Sequence, residues 1–189
     1  MGTIPRGAPP RQRVLLLTGG PGVGKTTLVC QAASRYRGPR GGFYTQEVRQ
    51  GGVRVGFDVV TLDGRRAPLA RAGLPSPVRV GKYGVTLKGL EALGVPALLA
   101  AVEAGGLAVV DEIGKMELTS AAFREAVAQA VERGRRVLGT VMLAPHPWAD
   151  ALKADPRVAV VMVSRDNRND LLTVLEVWLR EGEDPVEQA

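Results

Sequence analysis

The chain has 189 residues, 45% of them apolar and 23% charged, proportions that rule out collagen-like, coiled-coil and wholly disordered architectures. No apolar run nears the roughly 20 residues needed to cross a bilayer, and a single cysteine, Cys30, forms no internal disulfide and suits a reducing compartment. The 25 Lys+Arg against 19 Asp+Glu leave a net charge of +6, but aromatics are only 4%, so the excess fits a polyphosphate ligand better than stacked nucleic-acid bases.

Residues 1–12 carry Pro5, Pro9 and Pro10 and no apolar stretch, and read as a loose arm. The apolar run Val14-Leu15-Leu16-Leu17 then predicts a strand covered on both faces. It leads into Gly19-Gly20-Pro21-Gly22-Val23-Gly24-Lys25-Thr26, followed by Thr27, which is G-x-x-x-x-G-K-T between a strand and a helix. Each residue type has a reason. Gly20, Gly22 and Gly24 lack a Cβ and let the chain curl so that main-chain amides cradle phosphate oxygens. The helix that follows aims its N-terminal amides at the anion. Lys25 spans the β- and γ-phosphates, and the Thr26 hydroxyl reaches Mg²⁺. These nine positions form the expected nucleotide-binding loop. Leu28, Val29, Ala32 and Ala33 repeat at helical spacing behind it, with Cys30 as an ordinary helix residue.

From residue 42 to residue 83 the helical period is lost. Segments 43–49 and 53–60 read as strands around Gln50-Gly51-Gly52, with Asp63-Gly64 as a second turn, which predicts an antiparallel hairpin attached to a parallel sheet. Glu47 lies on it, as a group that closes over the nucleotide or simply as part of a wet face.

Leu107-Ala108-Val109-Val110-Asp111-Glu112 places four apolar residues before two acids, at the carboxyl edge where open parallel sheets bind ligands. Asp111 is the expected second holder of the metal, and Glu112 the expected orienter or base for an attacking water. Adjacent strand residues point to opposite faces, so the two carboxylates are not expected to share one task. Lys115, just beyond, is a candidate to stabilise charge on the transferring phosphate, or a solvated loop lysine.

Phe123, Ala126, Val127, Ala130 and Val131 predict a helix that Thr119 or Ser120 caps and Gly134 ends, and segments 137–141 and 158–163 are further covered strands. His146, between Pro145 and Pro147, is the only histidine, so no zinc site is expected. Asn167 is a candidate for base or ribose and Arg168 for a finger on the phosphates; the other reading is a helix start capped by Asn169. Leu171, Val174, Leu175 and Trp178 carry that helix, and residues 181–189 read as an acidic tail. The alternation predicts one α/β domain over 13–180, a doubly wound, mainly parallel sheet with an added antiparallel hairpin.

The phosphate loop, Gly42-Phe43-Tyr44-Thr45-Gln46-Glu47-Val48-Arg49, Val55-Gly56-Phe57-Asp58-Val59-Val60 and Val109-Val110-Asp111-Glu112-Ile113-Gly114-Lys115-Met116-Glu117-Leu118 together resemble the THEP1 nucleoside-triphosphatase family. Arg165-Asp166-Asn167-Arg168-Asn169 fits its late Asn-Arg element, and the resemblance runs over about residues 13–179. It implies a P-loop NTPase with a variant of the RecA-like fold. It also implies slow, Mg²⁺-dependent release of phosphate from ATP, GTP, CTP, UTP and deoxynucleotides, with nucleoside diphosphate as product. Nucleotide contacts are implied on Leu107, Ala108, Val109, Val110, Asp111, Glu112, Ile113 and Gly114 as well as the loop. Two other readings share the motif, a small-molecule kinase of nucleoside or nucleotide type and a nucleotide-gated binding switch; the Asp-Glu pair favours water as acceptor. A cytoplasmic monomer working on free nucleotides, with neither nucleic acid nor membrane as partner, is the expectation.

Overall fold

A computed structural model describes residues 9–181. The arm expected over 1–12 and the tail expected over 181–189 therefore lie largely outside the described residues. Gln12, at the arm's inner end, is tied down: its carbonyl accepts a hydrogen bond of 2.9 Å from the Trp178 indole.

One nine-stranded sheet runs through the protein in the order β5-β6-β4-β3-β2-β7-β8-β1-β9. Its parallel half is made of β2 (Arg40–Gln50), β7 (Leu107–Ile113), β8 (Arg136–Val141), β1 (Val14–Thr18) and β9 (Val158–Met162). The other half is antiparallel: β3 (Val53–Thr61), β4 (Arg66–Ala72), β6 (Tyr83–Val85) and β5 (Arg79–Val80). This corrects the expected architecture. The sheet is mixed rather than mainly parallel, and the hairpin is not an appendage. β2 pairs with β7 along residues 40–44 and with β3 along residues 43–50, so one long strand joins both halves.

Helices cover both faces of the parallel half, which is why its strands are apolar on both sides. Leu15, Leu17, Leu107, Val109 and Leu138 pack with α1 (Lys25–Arg35) and α5 (Arg168–Arg180). Val14, Leu16, Ala108, Val110 and Val137 pack on the opposite face with α2 (Val95–Glu103) and α3 (Ala121–Arg133). The helix over 121–133 starts where expected: the Ser120 hydroxyl accepts from the Phe123 amide at 3.1 Å.

Three helical pieces escaped the periodicity. A π-helical turn at Leu90–Gly94 runs into α2, whose residues Val-Pro-Ala-Leu-Leu-Ala-Ala-Val-Glu are apolar on nearly every side and so show no amphipathic stripe. The short α4 (Pro147–Lys153) hides among prolines. His146 is its N-cap, accepting from the Ala149 amide at 3.5 Å, which gives the lone histidine a structural task. No helix among the described residues is long and apolar enough to span a membrane.

Candidate active site

The loop after β1 curls back over the sheet edge before α1 begins. Positive φ angles fall at Gly19, Gly22 and Gly24, and not at Gly20, which corrects the expected assignment of the curl. Gly24 decides the entry to the helix, because a φ of 99° at the N-cap is a conformation that a side chain resists. Lys25, the first helical residue, folds its ammonium back over the loop and donates to the Gly19 and Gly20 carbonyls at 3.0 and 3.1 Å.

The acids sit where β7 leaves register. Val110 pairs with Gly139 and Ile113 with Val141, so Asp111 and Glu112 together oppose the single residue Thr140. This is a β-bulge, and it moves Ile113 onto the face already occupied by Ala108 and Val110. Asp111 keeps to the α1 side and is 1% exposed. Its Oδ1 accepts from the Thr140 hydroxyl at 2.6 Å, and Thr45 on β2 donates to its carbonyl at 3.0 Å. Burial pushes the carboxyl up to about 6, opposed by the Thr140 and Thr26 hydroxyls and reinforced by the Glu112 charge.

Thr26 comes near enough to act on that carboxyl electrostatically, but its hydroxyl makes no well-formed hydrogen bond there. Asp111 Oδ2 is left buried with no hydrogen-bond partner among the described residues, and the same holds for Thr18 Oγ1 at the end of β1. A buried carboxylate oxygen in that state needs a cation or a donor. With a hydroxyl from Thr26 beside it, the set is all oxygen, as a hard divalent ion such as Mg²⁺ requires.

Glu112 lies instead in the wall of a cavity of about 540 Å³ at the carboxyl ends of β1, β7 and β8, bounded also by Gly19, Gly20, Pro21, Lys25 and Lys115. Residues from six separate stretches of chain thus line one cavity. A family model described as NTPase matches residues 14–175. Nucleoside-triphosphatase THEP1 of Thermotoga maritima is 47% identical over 158 residues, covering 84% of this chain and 90% of that protein.

The chain belongs to the THEP1 nucleoside-triphosphatase family.

The human cancer-related nucleoside-triphosphatase is 45% identical over 176 residues, covering 85% of this chain and 93% of its own. Among solved structures, THEP1 from Aquifex aeolicus superposes with a TM-score of 0.80 at 32% identity, covering 88% of this chain and 98% of that one. The solution structure of the human protein gives 0.79 at 42% identity, over 91% and 100% of the two chains.

The remaining candidates in this THEP1-family chain divide. Arg168 is exposed at the start of α5 and reaches the loop, with a guanidinium nitrogen 3.8 Å from where a Gly24 Cβ would sit. Asn167 is hydrogen-bonded within its own loop. Its Oδ1 accepts from the Ser164 amide and its Nδ2 donates to the Met162 carbonyl, both at 2.9 Å. Asn167, not Asn169, is the residue preceding the helix, and it makes no side-chain cap. Glu47 stays outside the cavity on the exposed hairpin, paired with Arg49 at 2.6 Å and Arg54 at 2.8 Å. Of the apolar residues of β7, Leu107, Ala108, Val109, Val110 and Ile113 are fully buried and act as scaffold for the acids. Cys30 is half-buried on α1; burial, with the Asp111 charge adding, raises its thiol to about 11, so it stays protonated at neutral pH.

One site residue carried no separate expectation. Glu117, 4% exposed, opens a short 3₁₀ turn (Glu117–Thr119) and lies in the cavity wall beyond Glu112. Gly114 lies close above it, where a Cβ would stand 2.9 Å from the Glu117 carboxylate. The signal in the sequence was slight, an acid between Met116 and Leu118. Burial pushes this carboxyl up to about 8, with Glu112 and Asp111 adding to the shift against hydrogen bonds from its own amide and that of Gly114. A group raised in the folded state stabilises fully below its unfolded value, near 4.5, and that contribution is lost as pH rises through about 8. In thermal melts without nucleotide, Glu117→Gln is expected to gain on the parent steadily from pH 5 to pH 9, by an amount on the order of a few kcal/mol at most. Parallel melting curves across that window would show that the carboxyl is ionised throughout.

Proposed function

We propose that this protein is a Mg²⁺-dependent nucleoside-triphosphate phosphohydrolase on a P-loop core, a variant of the RecA-like fold, releasing phosphate and nucleoside diphosphate. The observation that carries the reading is the meeting of Lys25, Glu112 and the unpartnered Asp111 Oδ2 at one sheet edge. The loop amides and the N-terminus of α1 bind the phosphate tail, and Lys25 exchanges its two loop carbonyls for oxygens of the β- and γ-phosphates. Thr26 and Asp111 hold the magnesium, which when bound supplies neutralising charge to those oxygens. Glu112 aligns a water in line with the leaving diphosphate and takes its proton.

Low discrimination among bases is supported by what contacts the loop. The cradle, Lys25 and Asp111 address parts that every nucleoside triphosphate shares, and the Asn167 amide is hydrogen-bonded within its own loop. The substrates proposed are therefore ATP, GTP, CTP, UTP and their deoxy forms, taken free in solution by a cytoplasmic monomer, with neither nucleic acid nor membrane involved.

Phosphate release from that panel, measured with purified protein and no added acceptor, tests the reading directly. Rates that differ by less than about tenfold across bases are expected, since discrimination beyond that needs hydrogen bonds to the base. Asp111→Asn is expected to raise the Mg²⁺ concentration for half-maximal rate by at least about tenfold, the lower end seen when metal-site support is lost. An unchanged Mg²⁺ titration would remove Asp111 from the metal site.

A further inference from the structure

The cavity is larger than hydrolysis needs, and it lies on one side of the phosphate loop only. A water molecule takes about 30 Å³ of liquid volume, whereas the cavity measures about 540 Å³, within the range of pockets that hold a small organic molecule. Its walls include Gly19, Gly20, Pro21 and Lys25 but not Gly24, Thr26 or Thr27. Lys25 marks the end of the loop that takes the β- and γ-phosphates. Arg168, which approaches Gly24, is absent from the walls, as are Asn167 and the other residues of the β9–α5 connection. The nucleoside of a triphosphate seated in the loop thus extends away from this cavity, and the terminal phosphate faces into it.

The far wall is chemically distinct. Phe57 and Val80 come from the antiparallel half of the sheet, Met116 from the β7 loop, and Met142 and Leu143 from the segment after β8. Leu143, 46% exposed, is one of three large apolar side chains so exposed among the described residues, and it sits in this wall. Charged groups in the walls number two of each sign, Lys25 and Lys115 against Glu112 and Glu117. With Lys25 engaged by the nucleotide, Lys115 is the one cation left, too few for an acceptor that itself carries phosphate. Glu117, nearly buried in this wall and with its carboxyl pushed up by that burial, offers a hydrogen bond to a polar group on an otherwise apolar molecule.

We propose that this cavity is an acceptor site for a small, neutral alcohol with an apolar body, to which the γ-phosphoryl group is transferred in place of water. The inference rests on the phosphoryl-transfer reading given above and adds a second substrate to it. In the step, the alcohol oxygen forms a bond to the γ-phosphorus while the bond from that phosphorus to the β,γ-bridging oxygen breaks. The electron pair leaves with the nucleoside diphosphate. The hydroxyl proton passes to the Glu112 carboxylate and from there to solvent. Phe57, Met142 and Leu143 hold the apolar body, and Thr45 also lines the wall.

Partition between water and added alcohol tests this. ATP, Mg²⁺ and the protein are incubated with ethanol, 1-butanol or benzyl alcohol at equal concentration, and ³¹P NMR measures phosphate ester and inorganic phosphate in the same tube. Ester yield per mole of alcohol is expected to rise at least about tenfold from ethanol to benzyl alcohol, following the apolar area buried, and to fall by a similar factor in Leu143→Asp. Phosphate released with ester at or below the mole ratio of alcohol to water, and no trend with apolar bulk, overturns the acceptor site and leaves the hydrolase intact. Absence of both products overturns the hydrolase reading and this proposal with it. The ethanol-to-benzyl comparison uses the parent protein alone, so a misfolded variant does not decide the matter.

Discussion

Replacing Lys25 with alanine is expected to lower kcat for phosphate release by about 10²–10³-fold, the effect of removing one well-placed electrostatic donor from a phosphoryl-transfer site. The side chain is already folded over the loop, its ammonium 3.0 and 3.1 Å from the Gly19 and Gly20 carbonyls. Those carbonyls are weak partners compared with phosphate oxygens, so the ammonium is poised to exchange them and to follow the charge that builds as the bond to the γ-phosphorus breaks. Lys25→Arg is not expected to restore activity, because a planar fork cannot take the place of a compact point charge inside so tight a curl. Nucleotide affinity, measured separately with a non-hydrolysable analogue, is expected to fall less than kcat does. Turnover within about fivefold of the parent in Lys25→Ala would contradict an electrostatic role in the transition state.

For Glu112→Gln we expect a fall in kcat of about 10²–10⁴-fold with nucleotide affinity little changed, the pattern of a lost general base. The amide keeps the shape of the carboxylate, so the bulge opposite Thr140 and the cavity wall persist while the proton acceptor is gone. Asp111 cannot substitute. Its Oδ1 is committed to Thr140, it lies on the α1 side of the strand, and it is 1% exposed. Full turnover in the Gln variant, measured as steady-state phosphate release, would take Glu112 out of the reaction. The comparison also separates the two acids, since Asp111→Asn acts on the Mg²⁺ requirement and Glu112→Gln on the chemical step.

Much of the site was legible before any coordinates. The loop from Gly19 to Thr27 could be read by type and spacing alone, because the curl of a backbone between a strand and a helix depends on neighbours in sequence. The terminal acids of β7 were legible for a similar reason, a run of four buried apolar residues ending in two charges. Their division of labour was not. Strict alternation sends Asp111 and Glu112 to opposite faces, but the bulge that aims each of them is a mismatch with β8, a strand more than twenty residues further along the chain. Asn167 shows a different limit. Its residue type suggests a ligand contact, and nothing local in the sequence reveals the hydrogen bonds to Ser164 and Met162 that hold it in its loop.

By itself, the sequence determined the elements that are amphipathic or bounded by strong turn residues: β1, α1, the β2–β3 hairpin, α3 and α5. It determined the phosphate chemistry too. The α2 segment, with Glu103 as its one charge, and the seven-residue, proline-flanked α4 carried no stripe to read, since periodicity depends on a contrast of apolar and polar positions over several turns. Tertiary structure alone decided that β2 bridges a parallel and an antiparallel half. It also decided that Thr140 and Thr45 clamp Asp111, and that Phe57, Glu117 and Leu143 line one cavity. Those are contacts between segments far apart in the chain, set by how whole faces fit together, and no local pattern encodes such a fit.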